Sequence, residues 1–265
     1  MRVEQLGEGE PDLAVVGSIH GDEPCGAHAI ETLLAEEPAV ERPVKFIIAN
    51  ERALDRNVRY VETDMNRVFP GNPDAEAYET RLAYKLLDEL RGCTTLSMHS
   101  TQSYSRPFAI VDEAGPLAET ICPHLSIDVL VETADFVKNT LVGYVDVVEV
   151  ECGLQGSDQA AENAVQLVRE FLTAAGALPG SGSGSVETED RAIPVYQLQK
   201  LIPKQPADSY AVHVENFERV DEGSPYATID DRELIAEEPF YPVLMSPYGY
   251  DSQLGYAAEL NGKLK

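Results

Sequence analysis

Hydrophobic and polar positions in the first 178 residues alternate between two rhythms. Short apolar runs of buried-strand length occur at residues 13–19 and 44–49, with further strands expected at 95–98, 108–111 and 146–151. Between them lie helical patterns. One runs from about Pro24 to Leu34, with Pro24 in a first helical turn. A second, from Ala75 to Arg91, places Leu82, Leu86, Leu87 and Leu90 on one stripe, and a third covers about Ser157 to Ala175. Strands alternating with helices predict an α/β fold: a mainly parallel twisted sheet flanked by helices on both faces.

The rhythm breaks at Gly176, where a Gly/Ser tract begins and acidic residues follow. Beyond it, short alternating segments such as 210–220 and 241–245 are separated by turn-rich stretches, without a helical pattern. The expected organisation is an α/β domain at 1–178, a Gly/Ser-rich acidic linker at 179–190 and a small β-rich C-terminal domain at 191–265.

Composition adds exclusions. Hydrophobic residues at 43% and charged residues at 25% are globular proportions, not those of a disordered chain. A net charge of −26, from 20 Lys+Arg against 46 Asp+Glu, excludes a generic nucleic-acid backbone binder and disfavours anionic membranes. No apolar run approaches the ~20 residues that span a bilayer. The four cysteines, at 25, 93, 122 and 152, form no CxxC pair, and the N-terminus lacks the build of a secretory signal. A cytoplasmic protein is expected. The acidic residues are spread along the whole chain, and concentrated salt would screen their mutual repulsion, which points to a halophilic source.

Four segments carry candidate chemistry. His20-Gly-Asp-Glu23 follows the first apolar strand, and Met98-His99-Ser places a second histidine at the end of another. In a parallel sheet both strand ends lie on the edge where such sheets bind ligands. Two His and one Glu, with a fourth position open to water, is the hydrolytic zinc arrangement. Either motif alone is a weak signal. His28, His124 and His213 are read as surface or packing residues. Arg59 and the Asp64-Met-Asn66-Arg67 segment offer forked and amide donors suited to a carboxylate. Glu149 and Glu151 alternate along one strand and share a face; Glu151, nearer the strand's C-terminal end, could serve as a general base, with Glu149 a plain polar strand residue. Alternation turns Cys152 to the opposite face, as a packing residue.

Taken with Tyr241-Pro-Val-Leu-Met-Ser-Pro-Tyr-Gly-Tyr250, these motifs in this order resemble the succinylglutamate desuccinylase/aspartoacylase family, whose fold is similar to that of zinc carboxypeptidases. The resemblance implies one zinc ion per chain on His20, Glu23 and His99. It implies Glu151 as the base acting on zinc-bound water and Arg59 as the group polarising the scissile carbonyl. Asn66 and Arg67 would hold the α-carboxylate, and Tyr250 would close over the substrate, with Tyr248 two residues away as the other candidate. The implied partner is a small N-acyl amino acid hydrolysed to a carboxylate and an amine; homo-oligomerisation is left open. The same groups would also suit a metallocarboxypeptidase acting on short peptides, or a catalytically silent binding protein on this fold. Retention of all three ligand candidates together with Glu151 argues against the silent protein.

The pattern departs from the family at two places. Ser97 stands where an Asp is usual, two residues before the third ligand. Leu141 stands where aspartoacylases carry an Arg that reads the acidic side chain, with Lys138 the nearest cation. The resemblance therefore does not by itself carry N-acetylaspartate specificity over, although Lys138 or a basic residue of the C-terminal unit could take the place of that Arg. The charge excess gives a direct expectation: the melting temperature rises with salt, and dialysis into dilute buffer unfolds the protein. Full stability in dilute buffer, measured by circular dichroism, would overturn the halophile reading.

Overall fold

The computed structural model describes residues 1–134, 136–179 and 192–264, so the linker expected at 179–190 lies outside it from residue 180 onward. The α/β part runs β1 (Arg2–Leu6), β2 (Leu13–Gly17), α1 (Cys25–Glu36), β3 (Val44–Ile48), α2 (Glu51–Leu54), α3 (Tyr78–Glu89), β4 (Thr94–Thr101), β5 (Phe108–Val111), α4 (Pro116–Ile121), β6 (Leu130–Glu132), β7 (Val147–Leu154) and α5 (Asp158–Ala174). The later chain is all strand: β8 (Ile193–Pro203), β9 (Tyr210–Val212), β10 (Pro225–Ile229), β11 (Arg232–Ile235), β12 (Tyr241–Val243) and β13 (Gln253–Leu264).

Ten strands form one mixed sheet in the order β1-β3-β2-β4-β7-β5-β6-β8-β13-β12; β11-β10-β9 form a separate small antiparallel sheet. The expected α/β class holds. Pairing is parallel through β3-β2-β4-β7, antiparallel from β7 to β5, and parallel again through β5-β6-β8. The long β13 lies antiparallel to β8 and carries β12 on its outer side. The chain after residue 192 therefore extends the main sheet as well as building the small one.

Period-2 alternation sorts the side chains of the central strands onto two faces. Leu13 and Val15 of β2, Met98 of β4, and Val148, Val150 and Cys152 of β7 enter a large core under α1, α4 and α5. Helix α5 supplies Ala164, Leu167, Val168 and Phe171 to it, and its first turn is capped by Ser157, whose Oγ accepts from the Ala160 amide. The opposite face is covered in two places. Near β2, Ala14 and Val16 pack under Leu82, Ala83 and Leu86 of α3. Near β5, β6 and β8, a second apolar cluster includes Phe108, Val131, Leu198, Val243 and Tyr256. Between these two patches β4 and β7 present Ser97, His99, Glu149 and Glu151, paired Ser97 with Glu149 and His99 with Glu151. The sheet's polar residues are collected in that gap.

Helix α1 approaches the sheet without an intervening side chain. A Cβ at Gly17 would lie 2.5 Å from the Gly26 carbonyl carbon, so backbone packs against backbone there. That contact fixes the start of α1 and, with it, the turn carrying Glu23. No helix among the described residues is long and apolar enough to cross a membrane. Gly17→Ala should destabilise the fold by about 1–3 kcal/mol, the usual cost of overpacking, measurable by urea denaturation. Unchanged stability would show that α1 is not seated by this contact.

Candidate active site

Parallel pairing of β2 with β4 brings the two histidine segments together, their ring centroids 5.2 Å apart. Glu23 reaches back from the turn after β2 and lies between them. His20 Nδ1 is 2.8 Å from Glu23 Oε1, and His99 Nδ1 is 2.9 Å from Glu23 Oε2. The Ser100 amide also donates to Oε2 at 3.3 Å. All three side chains are buried, and one ligand atom from each lies within 4.8 Å of the others. Burial alone would raise the Glu23 pKa, but the two histidines hold it well below the usual carboxylate range. Burial would likewise lower His99, yet the Glu23 charge overrides it and raises the imidazole to about 10.

A second layer of carboxylates orients these groups. Asp64 Oδ1 lies 3.1 Å from His20 Nε2 and caps the single 3-10 turn at Met65–Arg67 by accepting from the Asn66 amide. Arg59 donates from Nε to Asp64 Oδ2 at 2.9 Å and from Nη1 to Glu23 Oε1 at 3.2 Å. Residue 21, next to the first histidine, packs backbone to backbone. A Cβ there would fall 2.0 Å from the Ala53 carbonyl carbon, and the Gly21 amide donates to the Arg59 carbonyl. Fully buried Glu79, in the first turn of α3, accepts from the Val61, Glu62 and Thr63 amides and so fixes the loop leading to Asp64. Asn66 Oδ1 accepts from the Leu141 amide at 2.8 Å, which leaves its NH2 end as the donor. Arg67 donates to the Asn66 carbonyl.

On β7, Glu151 is buried and its Oε2 has no hydrogen-bond partner among the described residues. Burial, reinforced by the Glu23 and Glu149 charges, pushes its pKa up to about 8. Burial also raises Glu149, whose Oε1 is 3.7 Å from His99 Nε2, the nitrogen that Ser97 Oγ approaches at 3.4 Å. The outer nitrogen of His99 thus faces a hydroxyl on its own strand and a carboxylate on the next.

These groups line a cavity of about 930 Å³, its open mouth included. All the sequence-predicted site residues are on its wall: His20, Glu23, His99, Arg59, Asn66, Arg67, Glu151 and Tyr250. The Tyr250 ring lies 5.8 Å from the Arg59 guanidinium carbon, whereas Tyr248 is 63% exposed and sits outside the lining, against Lys204 and Tyr210. Leu141 is fully buried and meets Asn66 through its backbone; Lys138 is exposed and outside the lining. His28, His124 and His213 are exposed. Sequence reading missed Asp64 as the bridge between His20 and Arg59, Glu79 as the loop anchor, and Glu149 against His99. A sign for Asp64 was its place three residues before Arg67 and two before Asn66; nothing local marks Glu79.

Two imidazoles and a carboxylate, each backed by further hydrogen-bonding groups, form a donor set suited to zinc, and the partnerless Glu151 oxygen stands beside it. Metal loading should release protons, because the Glu23 charge raises the His99 imidazole and the ring must lose its proton to ligate. Apparent zinc affinity should therefore rise with pH through the neutral range. Calorimetric titration in two buffers of different ionisation heat measures this. Affinity independent of pH would remove His99 from the ligand set.

Residues 9–115 match the model of the succinylglutamate desuccinylase/aspartoacylase catalytic domain. No curated protein sequence matches the chain. Among solved structures, the product-bound ectoine utilization protein EutE (DoeB) from Ruegeria pomeroyi superimposes with a TM-score of 0.75 at 19% identity, over 97% of this chain and 87% of its own. A succinylglutamate desuccinylase/aspartoacylase from Rhodobacter sphaeroides gives 0.75 at 18% identity, over 97% and 88%. Murine aminoacylase 3 gives 0.73 at 18%, over 95% of each chain. The fold of these structures is shared along nearly the whole chain, and over residues 9–115 the chain is similar to the catalytic domain of the succinylglutamate desuccinylase/aspartoacylase family.

Proposed function

We propose that this protein is a zinc-dependent N-acyl amino acid deacylase, hydrolysing the amide bond to a carboxylate and a free amino acid. The observation that carries the reading is the convergence of His20, Glu23 and His99 beside the partnerless Glu151 oxygen, in a cavity that also presents Arg59, Asn66 and Arg67. Zinc, when bound by the first three residues, supplies a Lewis acid and makes water a stronger nucleophile near neutral pH.

The chain's own groups do the rest. Arg67 and the NH2 end of Asn66 grip the substrate's α-carboxylate through charge-assisted hydrogen bonds. This orients the amide towards Glu151. Glu151 takes the proton from the attacking water and delivers it to the leaving nitrogen as the C–N bond breaks. Its raised pKa matches this shuttle better than an ordinary carboxylate would. Arg59, fixed by Glu23 and Asp64, keeps its positive charge where the carbonyl oxygen becomes anionic. Tyr250 covers the substrate beside Arg59. The walling of the cavity by Leu198 of β8, Val243 of β12 and Tyr256 of β13 supports a small substrate over a long peptide.

Glu151→Gln should lower kcat by about 10²–10⁴-fold, the usual range for a general base, while zinc content stays at one per chain by elemental analysis. Arg67→Ala should lower kcat/KM by ~10²-fold or more, since two charge-assisted hydrogen bonds at 1.5–3 kcal/mol each are removed. Both are read by amine release from a panel of N-acyl amino acids and dipeptides. Cleavage of dipeptides alone, or full activity of the Glu151 variant, would overturn the reading.

A further inference from the structure

The cavity changes character across the sheet. Its ionic end is on β4 and β7, and the next strands continue the same face with apolar side chains. Ile110 of β5 pairs in register with Glu149 on one side and Val131 of β6 on the other. Leu198 of β8, Val243 of β12 and Tyr256 of β13 complete this wall, with Val137 at its edge. Val131, Leu198, Val243 and Tyr256 are all buried at 5% exposure or less. Among the described residues, Arg59 and Arg67 are the only Arg or Lys side chains of the lining. Arg59 is paired with Glu23 and Asp64, and Arg67 is next to Asn66. Thr133, two residues beyond Val131, and Tyr256 add hydroxyls but no cation.

Resting on the deacylase reading, we propose that this wall is the specificity pocket and that it takes an uncharged apolar group of the substrate, excluding a second carboxylate. A dicarboxylic substrate would bury an unpaired negative charge against apolar side chains, close to Glu149 and Glu151. An alkyl or aromatic group would instead displace water from a surface already shaped for it. The apolar group could belong to the acyl chain or to the amino-acid side chain, and two substrate series separate these.

In the first series the acyl group is acetyl and the amino acid is alanine, leucine, phenylalanine, aspartate or glutamate. In the second the amino acid is alanine and the acyl group is acetyl, butyryl, hexanoyl or succinyl. The expected result is kcat/KM at least ~10-fold higher for the larger apolar members of one series, the scale of discrimination by an apolar pocket. The series that responds identifies the group seated. Preference for aspartate, glutamate or succinyl overturns the proposal. Val137→Arg, at the half-buried edge of the wall, should shift the preference towards the dicarboxylic members; no shift counts against the assignment. Calorimetry of zinc-loaded wild-type protein with leucine, hexanoate, aspartate and succinate separates the two levels. Binding of leucine or hexanoate alone, without turnover of any substrate, overturns the deacylase reading and upholds the apolar wall. Equal or tighter binding of aspartate or succinate overturns the wall.

Discussion

One buried carboxylate organises this molecule's interior. Glu23 contacts both histidines, the Ser100 amide and Arg59, so two segments distant in sequence, at 99–100 and at 59, converge with neighbouring His20 on its two oxygens. A carboxylate removed from water is costly unless such partners surround it. Its partners are in place because β2 and β4 are parallel neighbours and because glycines at 17 and 21 let the backbone close on either side of the turn. Asp64 repeats the arrangement one layer out, joining His20 to Arg59, and Glu79 holds the loop that delivers Asp64. The site is a nested series of acids and bases, each fixing the one inside it.

This arrangement also reconciles the proposed anionic substrate with a chain of charge −26. Long-range repulsion from a diffuse surface charge is screened within about 10 Å at ordinary ionic strength. Arg59 and Arg67 act at contact distance, where screening by salt is weak. Arg59 is further buffered: Glu23 and Asp64 raise its pKa against the opposing effect of burial, so it stays charged.

The α/β part of the fold was legible in the sequence because its strands are continuous apolar runs and its long helices carry clear stripes. Residues 108–111 form the expected strand, and α5 occupies 158–174 where about 157–175 was expected. What escaped has physical causes. β6 has only three residues, too few to show a period. β8 carries prolines at 194 and 203, and β13 is interrupted by Gly255 and Gly262 with register shifts along its pairing to β8, so neither reads as a regular strand. In the site, the motif residues were visible because histidine is scarce, with five in the chain, and because the motifs are chemically distinctive in combination. The apolar wall was invisible: Ile110, Val131, Leu198, Val243 and Tyr256 are ordinary core residues in sequence, and five separate strands must assemble before they face one cavity. Glu149 was visible as a residue but not as a neighbour of His99, since cross-strand register is not written locally.

The later strands have a consequence for how such a protein can diversify. Leu198, Val243 and Tyr256 lie more than 40 residues beyond Glu151, the last of the ionic groups, yet stand in the same chamber. Substitutions accumulating in that late stretch can reshape what is accepted without disturbing the buried acid–base lattice. In the proposed reading, the outer part of the apolar wall and the ionic groups are thus inherited on separate portions of one polypeptide, while Ile110 and Val131 tie the inner part of that wall to the strands beside Glu151.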